Sequence, residues 1–170
     1  QVIDHLLQNI NTTSKKYFPI HAYHGGGGVG LNMNINEVIA NLANKQSFHK
    51  EFGSYTPIHP NNHINLNNST SDVIKTAIHI TIIKSWGSLH AALSHLKKHI
   101  QQFIQQYGDT KKISRTCLQD AVEITFGNLF SGYLASIDRH VYTINTTIEA
   151  LHKVNIGGNI IGRKGDCTSA

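Results

Sequence analysis

Residues 59–107 read HPNNHINLNNSTSDVIKTAIHITIIKSWGSLHAALSHLKKHIQQFIQQY. A polar, asparagine-rich loop runs into Ser69-Thr70-Ser71-Asp72 and then, without a break, into an apolar-periodic segment that stops before Gly108. Ser69-x-x-Asp72 fits a capping box and so marks a helix start. Ile78, Ile82, Leu89, Leu93, Leu96, Ile100, Phe103 and Tyr107 recur at steps of mostly three and four, a sustained coiled-coil-like stripe. A helix of about 36 residues would be roughly 55 Å long. Its first turn gathers hydroxyls and unsatisfied backbone N–H groups, where the helix dipole favours an anion.

A second long helix is expected from about Val122 to Val154, stopping at Gly157-Gly158. Its stripe is Phe126, Phe130, Tyr133, Ile137, Val141, Ile144, Ile148 and Leu151. Two such helices do not make a globule alone. Their stripes can bury one another, but Ile74, Ile80, Ile83, Trp86, Leu129 and Leu134 fall outside that seam and ask for further helices. Upstream, residues 1–10 read as a short amphipathic helix with Val2, Ile3, Leu6, Leu7 and Ile10 on one side, and Asn11 to Ser14 as a polar break. Pro19 and the run Gly25 to Gly28 make residues 17–31 extended or loop. Asn34 or Asn36 can cap the next helix, with Glu37 in its first turn and Val38, Ile39, Leu42 and Ala43 as its apolar face. Residues 51–68, with Pro57 and Pro60, read as a long loop. The fold class is mostly α.

The chain has 170 residues, 39% apolar and 15% charged, with a net charge of +5. That is enough for a core but low in charge for a free-standing soluble domain. Lysines are scattered and no basic stripe with interleaved aromatics appears, which argues against nucleic acid. No apolar run approaches a membrane span and no signal peptide is visible, so a cytoplasmic protein without a membrane role is expected. Cys117 and Cys167 lack metal or redox spacing and read as a reduced pair. The twelve histidines invite a metal reading, but only His95 and His99 have i, i+4 spacing, without a nearby carboxylate. No metal site and no cofactor are expected. Gln1 at the start and the glycine-rich polar end read as cut from something longer.

Four ordered blocks carry a family resemblance. Residues 18–43, FPIHAYHGGGGVGLNMNINEVIANLA, are similar to the form F-P-x-x-x-x-Q-G-G-A-G-T-S-x-N-M-N-x-N-E-V-(I/L)-A-N of the aspartase/fumarase superfamily. The loop into the first long helix resembles H-(V/I)-N-x-x-Q-S-(S/T)-N-D-x-x-P-T, keeping Asn65, Ser69, Thr70, Asp72 and Thr76. Residues 113–122, ISRTCLQDAV, resemble G-R-T-(H/Q)-L-Q-D-A-V, and residues 151–165, LHKVNIGGNIIGRKG, resemble L-x-x-V-N-x-G-x-T-A-(I/V)-G-T-G-L. Gly25-Gly26 and Leu118-Gln119-Asp120-Ala121-Val122 look more like aspartate ammonia-lyase than fumarase, the alternative within the superfamily.

The resemblance implies the end of an N-terminal domain over residues 1–68 and, over 69–170, the first part of a central helical bundle with two long antiparallel helices. It implies a small dicarboxylate substrate (aspartate or fumarate) and a homo-oligomer, a tetramer in the family. In such lyases a proton leaves the carbon beside a carboxylate, an aci-carboxylate forms, and ammonia or water departs. That chemistry needs donors aimed at a growing dianion and a matched base. By the resemblance, Ser69, Thr70 and Thr116 are substrate-binding, although Ser69 and Thr70 equally suit a plain helix cap. Arg115 reads as a solvated or inter-subunit ion-pair partner. Val29 stands where the family binds substrate with a Thr, Ser71 where it has an Asn, and Cys117 where it has a His or Gln. The Cys117 thiol has no sequence-adjacent base and reads as an inert small residue. Asn159, Arg163 and Lys164 also depart from the fourth block. His59 and Asn61 match a peripheral anion site of fumarase-like members. The family's base-bearing loop S-S-x-M-P-x-K-x-N-P does not occur here, so no intact catalytic set and no turnover are expected; a catalytically dead helical interaction protein is the competing reading.

Overall fold

The computed structural model describes residues 4, 15–21 and 23–157. The expected helix over residues 1–10, the break at 11–14, Gly158, Cys167 and the substituted positions of the fourth block lie outside these, apart from Asp4. The elements are a single 3-10 turn (Lys15–Tyr17), helix α1 (Val29–Phe48), a π-helical turn (Pro60–Ile64), helix α2 (Thr70–Tyr107), strands β1 (Lys111–Thr116) and β2 (Gln119–Thr125), and helix α3 (Phe126–Leu151). Two compact units emerge, Gln1–Ile78 with Val154–Ala170, and His79–Lys153; α2 begins in the first and continues through the second.

In the first unit α1 starts at Val29, five residues before Asn34, which the sequence reading placed as a cap. Gly28 is the cap, in the left-handed region at φ 89°. A Cβ there would stand 2.9 Å from Ile74 Cγ1, so the glycine is required both by its backbone and by close packing on the start of α2. Asn34 and Asn36 are interior residues of α1 and buried, together with Asn32, Ala40, Ala43 and Asn44. Their amides act as tethers. Asn44, fully buried, donates to Ile58 O (2.8 Å) and accepts from Ile58 N (2.9 Å), fastening the loop below the helix. Asn41 Oδ1 accepts from Gly53 N at 2.7 Å. The expected loop over 51–68 is interrupted by the turn at Pro60–Ile64, which packs on α1. His59 Nδ1 caps that turn by accepting from the Asn61 and Asn62 amides, both at 3.2 Å.

In the second unit α2 and α3 run antiparallel: His79 Nδ1 lies 3.0 Å from Leu151 O, Trp86 Nε1 donates to Asn145 Oδ1 at 2.9 Å, Lys97 pairs with Asp138, and Phe103 stacks on Phe126 and Phe130. The α3 stripe faces this seam as expected, except that Tyr133 is half exposed. The α2 stripe does so only in part, at Leu93, Ile100 and Phe103. Its covered positions are His79, Ile83, Trp86, Leu93, Lys97, Ile100, Phe103 and Ile104, while Ile82, Leu89, Leu96 and Tyr107 are exposed. The seam is turned by about one residue relative to the expectation, bringing Ile83 and Trp86 inward. The cause is visible in the partners: the Trp86 indole N–H and the His79 ring find acceptors on α3, to which isoleucines could not donate.

The second helix was expected from Val122; it starts at Phe126 and ends at Leu151. Thr125 Oγ1 accepts from Asn128 N and Asn128 Oδ1 accepts from Thr125 N, both at 3.1 Å, a reciprocal capping box that fixes the start. The residues before it form an antiparallel hairpin, with Lys111 opposite Thr125 and Thr116 opposite Gln119. Ser114 bridges the irregularity in its register, accepting from Val122 N (3.1 Å) and donating to Val122 O (2.7 Å). Gly108 closes α2 into the hairpin, where a Cβ would strike Ile104 O.

Substitution distinguishes the two seams. Ile83→Ala is expected to lower the unfolding free energy by about 2 kcal/mol and Ile82→Ala by less than about 1 kcal/mol, read from urea transitions. Equal losses would contradict the rotated seam.

Candidate functional site

The first turn of α2 and the first turn of α1 lie side by side, since Gly28 packs on Ile74. Asn65, in the loop before α2, joins them. Its Oδ1 accepts from Asn32 Nδ2 and from Asn36 Nδ2, each at 3.1 Å, and its Nδ2 donates to Asn68 O at 3.1 Å. Asn32 and Asn36 are one helical turn apart on α1, which is why both reach the same oxygen. The second Nδ2 hydrogen of Asn32 goes to Thr70 Oγ1 at 3.0 Å.

That bond sets the chemistry of Thr70. A hydroxyl has one donor and two acceptor positions. With a lone pair of Thr70 held by Asn32, its own proton is free to be donated elsewhere. Beside it, Ser69 Oγ lies 2.9 Å from Ser71 Oγ. This pairing replaces the capping box expected from Ser69 and Asp72, because the short Ser71 side chain offers a hydroxyl within reach. Asp72 stays in the first turn, where its charge suits the helix dipole, and Thr76 Oγ1 donates to its carbonyl at 2.7 Å. The starts of α1 and α2 thus lie beside one another, with Thr70 held by Asn32 and Ser69 paired with Ser71, a setting that favours an anion.

The other expected site residues are placed as follows. Val29 is the first residue of α1 and half exposed, an apolar side chain at the rim of the glycine turn. Thr116 and Cys117 belong to the second unit, at the tip of the hairpin. Cys117 and Leu118 form a two-residue turn with φ of 51° and 62°, both left-handed, and Cys117 is exposed with a free thiol. Arg115 Nε pairs with Asp120 Oδ1 at 3.0 Å, an exposed ion pair of small energetic weight. His95 and His99 are exposed on α2. Among the described residues no group of three His, Cys, Asp or Glu side chains is placed to hold a metal ion, and no helix is long and apolar enough to cross a membrane. The positioning residues Asn32 and Asn36 were missed in the sequence as site members. Their signal was there, in the N-M-N-I-N run that the first block quotes.

Comparison with known proteins places the chain in a family. A family model described as lyase matches residues 1–166. The chain is 43% identical over 148 residues to fumarate hydratase class II of Chlamydia trachomatis, covering 86% of this chain and 32% of that protein. It is 41% identical over 146 residues to fumarate hydratase class II of Xylella fastidiosa, covering 85% and 29%. Among solved structures, a fumarate lyase:delta crystallin from Brucella melitensis superposes with a TM-score of 0.80 at 31% identity over 98% of this chain and 36% of that one. A class II fumarase from Schistosoma mansoni gives a TM-score of 0.83 at 26% identity, with 99% and 35% covered. The chain thus spans about a third of the length of the relatives it matches. Their names favour the fumarase alternative over the aspartate ammonia-lyase reading that Gly25-Gly26 and the Leu118–Val122 wording suggested.

Two substitutions probe the site. Asn32→Asp removes both amide donors and is expected to cost about 2 kcal/mol or more in unfolding free energy, by denaturant titration. Replacing Cys117-Leu118 by Asn-Gly, which tolerate the left-handed turn, is expected to raise stability by about 1 kcal/mol or more. A loss on that replacement would contradict the turn geometry.

Proposed function

This chain belongs to the lyase family, within the aspartase/fumarase superfamily, and from that premise we propose that it is a portion of a fumarate hydratase of the class II kind. In this reading residues 1–68 end an N-terminal domain and residues 69–170 begin the central helical bundle of a cytoplasmic homo-oligomer. Its substrate is a small dicarboxylate, fumarate or its hydration product.

Thr70 carries the proposal. Asn32 holds its oxygen, so its proton points to an incoming acceptor, and Ser69 and the backbone N–H groups of the α2 start stand beside it. During hydration or its reverse, charge accumulates on the carboxylate next to the carbon that loses its proton. Preorganised donors at that carboxylate stabilise the aci-form more than the ground state. This chain's contribution is binding and charge stabilisation: Thr70 donates, one hydroxyl of the Ser69–Ser71 pair keeps a proton to donate beside it, and the Asn32–Asn65 pair prevents Thr70 from turning. Val29 supplies no donor at its position, Ser71 is shorter than the Asn the family carries there, and Cys117 replaces a longer polar side chain. With no base identified on these residues, the isolated chain binds a dicarboxylate weakly and does not turn it over.

Exposed apolar side chains support the oligomer. Ile78, Ile82, Leu89 and Leu96 each leave about half their surface open along α2. Burying a side chain of this kind gains about 1.5–3 kcal/mol.

Heteronuclear NMR titration of the purified chain tests the reading. Fumarate and L-malate are expected to shift the amides of Ser69 to Asp72 saturably, acetate far less, and Thr70→Val is expected to remove most of the effect. Turnover of fumarate or aspartate by the purified chain would overturn the inactive assignment, and an unmoved Ser69–Asp72 turn would overturn the site.

A further inference from the structure

The π-helical turn at Pro60–Ile64 is held at its start by two imidazoles. His59 Nδ1 accepts from the Asn61 and Asn62 amides, both at 3.2 Å, and His63 Nδ1 accepts from the His59 amide at 2.8 Å. The arrangement is a reciprocal cap, with rings in the roles that a hydroxyl and a carboxylate usually fill. A backbone N–H can only donate, so each Nδ1 carries a lone pair and each ring proton sits on Nε2. All three bonds therefore require neutral imidazoles. A proton added to either ring goes to Nδ1, turns the acceptor into a donor, and sets it against the amide it was holding.

The turn in its turn sets Asn65. Asn65 N donates to Pro60 O at 3.0 Å, closing the turn, while Asn65 Oδ1 receives the Asn32 and Asn36 carboxamides. Asn32 also donates to Thr70 Oγ1. A chain of hydrogen bonds thus runs from the two rings through Asn65 and Asn32 to Thr70.

The surroundings offer nothing to offset a charge on the rings. His63 is exposed and His59 half-buried, so solvent protons reach both. The turn packs on α1, whose facing residues are Asn36, Ala40 and Asn44, spaced by four and uncharged. The charged residues of α1 are Glu37, which lines a pocket with Lys16 and Tyr17, and Lys45, whose ammonium lies 4.8 Å from the Phe52 ring centroid. From the preceding loop Tyr55 meets His59 edge to face at 5.9 Å, and Asp72 is the acidic residue of the first turn of α2. Among the described residues no carboxylate forms an ion pair with either imidazole.

We propose that His59 and His63 are positioning residues for the Thr70 site: as neutral imidazoles they hold the turn that sets Asn65, and proton uptake releases it. Proton uptake is coupled to opening, so the sign is fixed. The turn is closed where the imidazoles are neutral and opens as the pH falls through the histidine range, between about pH 8 and pH 5. With Asn65 released, Asn32 and Thr70 lose their fixed geometry and the donor array loosens. Only this last step rests on the reading of Thr70 as a dicarboxylate donor; the opening of the turn does not.

The test is NMR of the purified chain at about pH 8 and about pH 5.5. At the higher pH the ring nitrogens of His59 and His63 are expected to report the Nε2–H tautomer, and the amides of His59, Asn61 and Asn62 to be protected from exchange. At the lower pH their protection factors, corrected for intrinsic exchange, are expected to fall about tenfold or more, together with that of the Asn32 carboxamide. The double variant His59→Asn with His63→Gln supplies acceptors that do not titrate, and is expected to keep the turn and lose the pH dependence. Fumarate, ionised at both pH values, is expected to bind about tenfold more weakly to the wild type at the lower pH and equally to the variant at both. If the variant does not fold, the wild-type tautomers and protection factors decide. An Nδ1–H tautomer at about pH 8, unchanged protection at about pH 5.5, the same loss in the variant, or equal fumarate affinity with the turn open would overturn the proposal. An opening turn with no fumarate binding at either pH would support the positioning role and overturn the dicarboxylate reading.

Discussion

A carboxamide taken out of water must find partners, and the first unit of this protein is organised by that requirement. Helix α1 carries Asn32, Asn34, Asn36, Asn41 and Asn44, and their amides hold neighbouring pieces of chain: Thr70 and Asn65, Tyr17, Asn65 again, Gly53, and Ile58. Among the described residues, the buried apolar side chains beside them are Ala40 and Ala43. Hydrophobic burial alone would leave the loops around α1 free to slide. Directional amide bonds give them fixed registers, and the fixed register of Asn65 is what brings Thr70 to its place.

The second unit rests on a different balance. Its seam is a zipper of aromatic and aliphatic side chains closed at one end by Phe103, Phe126 and Phe130 and punctuated by Trp86–Asn145 and Lys97–Asp138. Of its apolar side chains only Ile148 is buried, at 8% exposure. A helix pair that covers one seam and leaves a second apolar stripe open is what a piece of a larger bundle would present. That fits a chain spanning about a third of its relatives.

Much of this was legible in the sequence. The stripe of α3 stands out because polar residues flank Ile137, Ile144 and Ile148, so a single frame satisfies the period over most of its length. On α2 both Ile82 and Ile83 are apolar, and Ile78 competes with His79; the frame was undecided by hydropathy and is decided by the hydrogen-bonding reach of Trp86 and His79. The hairpin was missed because its turn is Cys117-Leu118, with neither the glycine nor the asparagine that normally announces a left-handed turn. The start of α1 was misplaced because asparagine is both a common cap and, more rarely, a buried tether. Those same misread asparagines turn out to hold the site. The Ser69–Asp72 turn, by contrast, was legible from its hydroxyls and its place before an apolar run.

The central claim is that Asn32 and Asn65 lock Thr70 as an outward donor. Solvent exchange of side-chain carboxamide protons measures this most directly. The account predicts that both Asn32 Nδ2 protons exchange far more slowly than those of an exposed asparagine such as Asn62. Exchange of the Asn32 protons at the exposed rate would contradict it, because neither Asn65 Oδ1 nor Thr70 Oγ1 could then be holding them.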